Sequence, residues 1–237
     1  MSLPAVILAG GKGERIASYS KGVPKPLLRV EGLSLIEHVI LRMVSVGIKD
    51  FIVVVGYKGN VVKSFLESLK LDVSLKIVEN KDYYRGNGST LYKALEALPQ
   101  GSFVLSMSDH VFNSKIVEML IQSKEPRAIA VDGNLSGSWV EESTKVLADE
   151  KMFVLDIGKE IEKWNYVDTG LFVLDEKIFE AVEEALKESE EVTLSYCIKK
   201  MISKGNNLKA IDVTGYTWVD VDTPNDVKRL VKVIGEV

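Results

Sequence analysis

Hydrophobic and polar positions along the 237 residues fall into two alternating patterns. Short unbroken runs rich in Val, Ile and Leu read as strands buried on both faces, and apolar residues spaced three and four apart read as helices lying on a sheet. Runs at 5–9, 50–55, 73–78, 127–131, 166–174 and 208–213 predict strands, as does the run that starts at Ser102 and stops at Asp109. Residues 27–30 read as a short edge strand, and 146–149 with 152–157 read as a hairpin about Glu150-Lys151. Helices are expected from the capping box Ser34-Leu-Ile-Glu37 to Gly47, over 60–69, over 90–98 up to Pro99, and from Ser114 with Asn113 as its cap. Others follow over 178–186, over 194–203 behind Thr193, and after Thr223-Pro224. Strands alternating with helices imply an α/β fold, with a mixed, mainly parallel sheet and helices on both faces of one domain spanning 1–237.

Composition narrows the field. Hydrophobic residues at 46% and charged residues at 27% are ordinary for a chain that buries a substantial core. A net charge of −4 and a pI near 5.4 argue against a nucleic acid or an anionic membrane as partner. The single cysteine, Cys197, excludes an internal disulfide and suits a reducing compartment; its apolar helical setting reads as core. No apolar run reaches membrane-helix length, and the amino terminus lacks the layout of a signal peptide. A cytoplasmic protein without an integral membrane segment is therefore expected, and a homo-oligomer is compatible with the chain. Two glutamines and one cysteine among many Glu and Lys lean toward a heat-adapted source.

Three clusters carry candidate chemistry. The run at 5–9 drops into Gly10-Gly11-Lys12-Gly13-Glu14-Arg15, and Pro24-Lys25-Pro26 follows. A P-loop is excluded because no Gly-Lys-Ser/Thr stands at the required spacing, and a dinucleotide fingerprint fails at Ile16. What remains is a glycine loop whose N–H groups can face phosphate, with Lys12, Arg15 and Lys25 as positive charge in an acidic protein. It reads as a nucleoside-triphosphate site. The second cluster is Asp109, at the carboxyl end of its strand, a natural magnesium ligand in the crevice where open α/β sheets bind ligands. The third is Trp218-Val-Asp220-Val-Asp222-Thr223-Pro224, where alternation puts Asp220 and Asp222 on one face and their repulsion calls for a cation.

Other stretches stay open. Residues 80–90, with Tyr83, Tyr84, Asn87, Gly88 and Ser89, read either as a surface loop or as a loop that recognises a base through the Asn87 carboxamide. Residues 132–142, with Trp139, look like a mobile loop near an acceptor. His38 reads as a helix-surface or packing histidine.

Leu-Ala-Gly-Gly-x-Gly-x-Arg at 8–15, Pro-Lys-Pro-Leu at 24–27 and Trp-x-Asp-x-Asp-Thr-Pro-x-Asp at 218–226 together resemble the signature of the sugar-phosphate nucleotidyltransferases. These enzymes join a nucleoside triphosphate to a phosphorylated sugar or polyol and release pyrophosphate. The resemblance covers nearly the whole chain and implies a Rossmann-like, three-layer fold of the glycosyltransferase-A type. About 1–112 would be its nucleotide-binding half and about 113–237 its acceptor-binding half. It implies that Leu8, Ala9, Gly10, Gly11, Lys12 and Gly13, with Asn87, Gly88 and Ser89, bind the nucleotide, and that Arg15 and Lys25 are catalytic. It further implies Mg2+ on Asp109 and Asp222, with Asp220 beside them, and the acceptor on Lys159, Asp168, Thr169 and Gly170. The family commonly has a second acid shortly after the strand-ending aspartate; here His110 follows instead.

Within the family, Ser108-Asp109-His110, Asn87-Gly88, Gly158-Lys159 ahead of Val167-Asp-Thr-Gly170, and Trp218 to Pro224 look most like the inositol-1-phosphate cytidylyltransferases. That implies CTP and inositol-1-phosphate as substrates and a freestanding form. A hexose-1-phosphate nucleotidyltransferase using GTP, UTP or dTTP, a phosphocholine cytidylyltransferase, and an inactive regulatory nucleotide-binding module are the alternatives.

Overall fold

The computed structural model describes residues 3–137 and 139–237. Strand β1 (Ala5–Ala9) leads through a 3-10 turn (Glu14–Ile16), helix α1 (Ala17–Ser20) and a second 3-10 turn (Lys25–Leu27) to the ribbon β2 (Arg29–Val30) and β3 (Leu33–Ser34). Then come α2 (Leu35–Ser45), β4 (Asp50–Val55), α3 (Gly59–Ser68), β5 (Ser74–Glu79) and α4 (Gly86–Lys93). Next are β6 (Phe103–Met107), β7 (His110–Phe112), α5 (Ser114–Gln122), β8 (Ala128–Asp132) and α6 (Trp139–Glu142). The chain continues with β9 (Lys145–Ala148), β10 (Val154–Gly158), β11 (Tyr166–Leu174), α7 (Lys177–Glu188) and α8 (Leu194–Ser203). It closes with β12 (Lys209–Asp212), β13 (Trp218–Asp220) and α9 (Pro224–Val233).

Nine strands form one mixed sheet in the order β10-β9-β11-β6-β1-β4-β5, with β8 on β11 and β12 on β8. It is parallel through β6, β1, β4 and β5, and antiparallel where β11 meets β6, β8 and β9. Both faces are covered, which is why the central strands are apolar without a break. On β1, Val6 and Leu8 enter one core layer, shared with Leu91 of α4, Phe179 of α7 and Ile198 of α8. Ala5, Ile7 and Ala9 enter the opposite layer, with Val39 of α2, Leu66 of α3 and Leu120 of α5. The result is a three-layer α/β architecture.

A third, smaller core matters most for the site. Ile16, Leu28, Val30 and Leu35 pack against Val111, Val219, Val221, Val227 and Leu230. The β7–β13 ribbon, which places His110 opposite Asp220, lies on this cluster. Apolar burial thus draws together segments near residues 25, 109 and 222, far apart in the chain.

The expected helices and strands form, with informative shifts. Ser34 and Glu37 make the capping box at α2, Asn113 caps α5, Thr193 caps α8, and Pro224 occupies the first turn of α9. Such a cap contributes about 1 kcal/mol. The edge strand expected at 27–30 shortens to Arg29–Val30, because Lys25–Leu27 closes into a 3-10 turn with Leu28 N–H donating to Lys25 C=O at 3.0 Å. The helix expected from Thr90 starts at Gly86, so Asn87, Gly88 and Ser89 lie in a helical turn rather than a loop. Low helix propensity of Gly and Ser is overridden there by packing on Val192, whose C=O accepts from Gly88 N–H at 2.9 Å. Residues 132–142 include helix α6; Ser138 lies outside the described residues. His38 is a packing histidine: it is 3% exposed, bonds Val30 O through Nε2 at 2.9 Å, and lies 3.1 Å from Arg42 Nη1 through Nδ1.

Among the described residues, no helix is long and apolar enough to cross a membrane. Cys197 is fully buried in the first core layer, and burial pushes its thiol up to about 12. A thiol reagent at pH 8 should leave the native protein unmodified and label it rapidly in urea. Fast labelling without denaturant would show that α8 opens in the native state.

Candidate active site

The carboxyl ends of β1 and β6 open into a cavity of about 770 Å³, whose wall draws on both halves of the chain. One side is the glycine loop, Gly10 to Arg15. Its third glycine is required by contact as well as conformation. Gly13 has φ 64, and a Cβ there would stand 2.8 Å from Lys25 Cβ. The loop therefore seats the lysine that the Pro24-Lys25-Pro26 turn presents.

Lys25 is the electrostatic centre. Its side chain is only 8% exposed, and Nζ lies 2.5 Å from Asp109 Oδ2 and 2.5 Å from Asp222 Oδ1. Burial pulls its pKa down, but Asp109, Asp220 and Asp222 outweigh that and hold it above the ordinary lysine value. Burial likewise works against ionisation of Asp222, yet Lys25 and Arg15 keep its carboxyl below the usual range. Arg15 donates to the second oxygen of Asp222 and, through Nη1, to Glu142 Oε2 at 2.9 Å. One arginine thus ties the glycine loop to the carboxyl-terminal motif and to α6.

His110 follows the strand-ending Asp109, and β11 is shaped around it. The register of β11 on β8 shifts between Asp168 and Phe172, and Gly170 within that bulge has φ 78. A Cβ on Gly170 would fall 2.1 Å from His110 Nδ1. Nδ1 donates to Thr169 C=O at 2.8 Å, and Nε2 faces Asp220 Oδ1 at 3.4 Å. Burial alone lowers the imidazole pKa, but the Asp220 carboxylate, with Asp109 and the Thr169 carbonyl, raises it to about 10. Asp168, pressed against the same group, is pushed up to about 6 by burial, partly offset by its 2.7 Å bond from Gly170 N–H.

The metal ligands expected from sequence are partly rearranged. Ligand atoms of Asp109, His110 and Asp220 lie within 4.8 Å of one another, close enough to hold a metal ion. Asp220 Oδ1 is buried without a hydrogen-bond partner among the described residues, so this cluster has an acceptor to spare. Asp222, expected as the partner of Asp109, is engaged by Lys25 and Arg15 and stands outside this trio. The two carboxylates of this trio, Asp109 and Asp220, fit a hard divalent cation. His110 in its charged form is a counter-ion of Asp220, and binding a metal through it would displace a proton.

Most other expected site residues meet on the wall. Leu8, Gly10, Gly11, Lys12, Gly13, Arg15, Lys25, Asn87, Lys159, Asp168 and Gly170 all line the cavity. Ala9, Gly88, Ser89 and Thr169 do not. Ala9 points into the second core layer. Gly88 lacks a side chain for Val192, whose Cγ1 would be 2.8 Å from a Cβ, rather than for a flat base. Ser89 Oγ donates to backbone carbonyls of Asp82 and Gly86. Thr169 is fully buried, its hydroxyl donating to Ala130 C=O at 3.0 Å, so it supports the site from behind. Sequence reading missed Glu142 and the wall at Glu191, Thr193 and Ser195. Thr193 was legible as a cap; nothing in the order of residues pairs Glu142 with Arg15.

A model of the nucleotidyl transferase family matches residues 4–234. The chain is 38% identical over 231 residues to the bifunctional IPC transferase and DIPP synthase of Aquifex aeolicus, covering 96% of this chain and 51% of that protein. It is 34% identical to the protein of the same description from Archaeoglobus fulgidus, covering 96% and 43%. The chain therefore spans about half the length of these curated relatives. Among solved structures, the inositol-1-phosphate CTP transferase from T. maritima superposes with a TM-score of 0.87 at 27% identity, covering 98% of this chain and 95% of that one. A UDP-glucose pyrophosphorylase, at 15% identity and a TM-score of 0.81, shares the fold.

The His110–Gly170 contact is testable by a double-mutant cycle. Gly170→Ala should cost roughly 2–4 kcal/mol in urea unfolding, from the positive φ and the displaced ring. In a His110→Ala background the cost should fall to about 1 kcal/mol, the backbone part alone. Equal costs in both backgrounds would show that ring and glycine do not share space.

Proposed function

The chain belongs to the nucleotidyl transferase family, and from that premise we propose that it transfers a cytidylyl group from CTP to inositol-1-phosphate, yielding CDP-inositol and pyrophosphate. The observation that carries the reaction type is Lys25, buried beside the glycine loop and held between Asp109 and Asp222. The choice of CTP and inositol-1-phosphate rests on the likeness to the T. maritima transferase over nearly its whole length.

An oxygen of the acceptor phosphate attacks the α-phosphorus in line, and the bond from that phosphorus to the bridging oxygen of the β-phosphate breaks. Pyrophosphate leaves with the bond's electron pair. A phosphate monoester is already ionised at neutral pH, so no general base is required, in keeping with a buried Cys197 and a His110 bound up with Asp220. Alignment and charge neutralisation supply the acceleration. Lys25 neutralises the α-phosphoryl oxygens. Arg15, with Lys12, holds the leaving pyrophosphate on the N–H groups of Gly10 to Gly13. Lys159 orients the acceptor's phosphate, and Asp168 and the backbone at Gly170 face its hydroxyl groups.

Asp109 and Asp220 are the residues that would hold Mg2+, with His110 adjoining, and Asp222 would join them once Lys25 and Arg15 release it. When bound, Mg2+ supplies charge compensation on the reacting phosphates. Arg15 must exchange Glu142 and Asp222 for phosphate oxygens when the triphosphate arrives, because its fork is filled by carboxylates in this structure.

Pyrophosphate release should be confined to CTP with inositol-1-phosphate when CTP, GTP, UTP, dTTP and ATP are each paired with inositol-1-phosphate, glucose-1-phosphate, mannose-1-phosphate and phosphocholine. Release with a hexose phosphate would keep the reaction and reject the acceptor; silence throughout would point to a regulatory nucleotide-binding protein. Lys25→Ala should lower kcat by about 10²–10³-fold, the usual cost of one preorganised charge. A folded variant within threefold of the parent would remove Lys25 from the mechanism.

A further inference from the structure

The end of α7 and the linker to α8 are clasped to Arg85 and the first turn of α4 by five backbone-anchored bonds. The Arg85 guanidinium donates to the carbonyls of Leu186 at 2.8 Å, Ser189 at 3.1 Å and Glu190 at 3.1 Å. Val192 N–H donates to Arg85 C=O at 2.8 Å, and Gly88 N–H returns a bond to Val192 C=O at 2.9 Å. Held in this way, Leu194 N–H donates to the Asn87 side-chain oxygen Oδ1 at 2.7 Å. That contact orients the carboxamide without ambiguity. A backbone N–H can only donate, so the group facing it must be the oxygen; a flipped amide would set two donors head to head.

Asn87 lines the cavity, one helical turn before Thr90, whose side chain lies against Gly10 of the glycine loop. A nucleotide with its phosphates on that loop would carry its base along this turn, where Tyr83 and Tyr84 also line the cavity. Asn87 Nδ2 has no hydrogen-bond partner among the described residues. We infer that Asn87 reads the base as a donor only, its oxygen being committed to Leu194, and that this arrangement favours cytosine over uracil, thymine and guanine. Cytosine presents two acceptors side by side, N3 and O2. Uracil and thymine carry N–H at N3, and guanine carries N–H at N1, so each, presented on the same edge, would oppose one of the two amide donors with a donor of its own and leave a single acceptor beside it. The inference rests on the reading above that the cavity binds a nucleoside triphosphate at the glycine loop, and it names the feature that selects the base.

Leu194 is the first residue of α8, where proline is well tolerated, and Thr193 before it has the extended backbone (φ −87, ψ 154) that precedes proline. Leu194→Pro therefore removes the N–H while leaving the helix start intact, and Leu194→Ala controls for the lost side chain. Asn87→Asp keeps the acceptor for Leu194 and turns the base-facing donor into an acceptor. The readout is the ratio of kcat/KM for CTP to that for UTP with inositol-1-phosphate, alongside calorimetric Kd values for both nucleotides. We expect Leu194→Ala to keep the ratio within threefold, Leu194→Pro to lower it at least tenfold, and Asn87→Asp to shift preference to UTP. If Leu194→Pro does not fold, Asn87→Asp decides alone.

A CTP-selective parent whose ratio is unmoved by Asn87→Asp overturns this inference and leaves the proposed reaction standing. A change confined to KM for inositol-1-phosphate assigns Asn87 to the acceptor and overturns it as well. A parent that prefers UTP, dTTP or GTP overturns both.

Discussion

The structure depends on one buried cation. Lys25 places its ammonium between Asp109 and Asp222, and those three residues come from the turn after α1, the end of β6 and the start of α9. Two carboxylates at such close quarters repel, and a nearly dry lysine is costly unless paired. Each makes the other tolerable. Taking away one partner of a buried charge pair costs roughly 3–5 kcal/mol, because the remaining charges are left uncompensated. The same groups stand where phosphate and a divalent cation would compete for them, so the arrangement that completes the fold is also the one that chemistry must reorganise.

Around that centre, polar and aromatic contacts add to the sheet pairing of β11 on β6 and the shared cores that already join the two halves of the chain. Arg15 links the glycine loop to Glu142 and Asp222. Trp139 packs edge-on to Trp218 with ring centroids 5.2 Å apart, and Arg229 lies 5.0 Å over the Trp139 ring. Trp218 in turn donates to Asp132 Oδ2 at 2.9 Å and stacks on His110. On the opposite wall, Arg85 and Asn87 clasp the linker ahead of α8. Of these contacts, those of Arg15, His110, Arg85 and Asn87 cross between the halves, so the position of each wall depends on the other.

His110 shows how a bulky charged ring is accommodated beside the carboxylates. An imidazole beside Asp109 and Asp220 needs room and an acceptor for its second nitrogen. Gly170 supplies the room by having no Cβ, and the bulge in β11 turns the Thr169 carbonyl toward Nδ1. The charged ring then balances Asp220, which would otherwise add a third negative charge beside Asp109 and Asp222.

The order of residues by itself determined the layered architecture, because unbroken Val and Ile runs bury both faces of a strand wherever they are placed, and capping residues such as Ser34, Asn113, Thr193 and Pro224 act within a few positions. It also made the charged residues legible: Asp109 because it stops an apolar run, Arg15 because it follows three glycines, Lys25 because it stands between prolines, and Asp220 and Asp222 because alternation puts them on one face. Pairings across long stretches were not legible. That Lys25 sits between Asp109 and Asp222, that Glu142 reaches Arg15, and that Asp220 rather than Asp222 neighbours His110 follow from how the small core of Ile16, Val111, Val219 and Val221 packs the β7–β13 ribbon. The tertiary structure likewise decided that Gly88 serves Val192 and that the Asn87 oxygen belongs to Leu194. A hydrogen bond commits one atom of a side chain to one partner, and only the folded chain decides which partner comes within 3 Å.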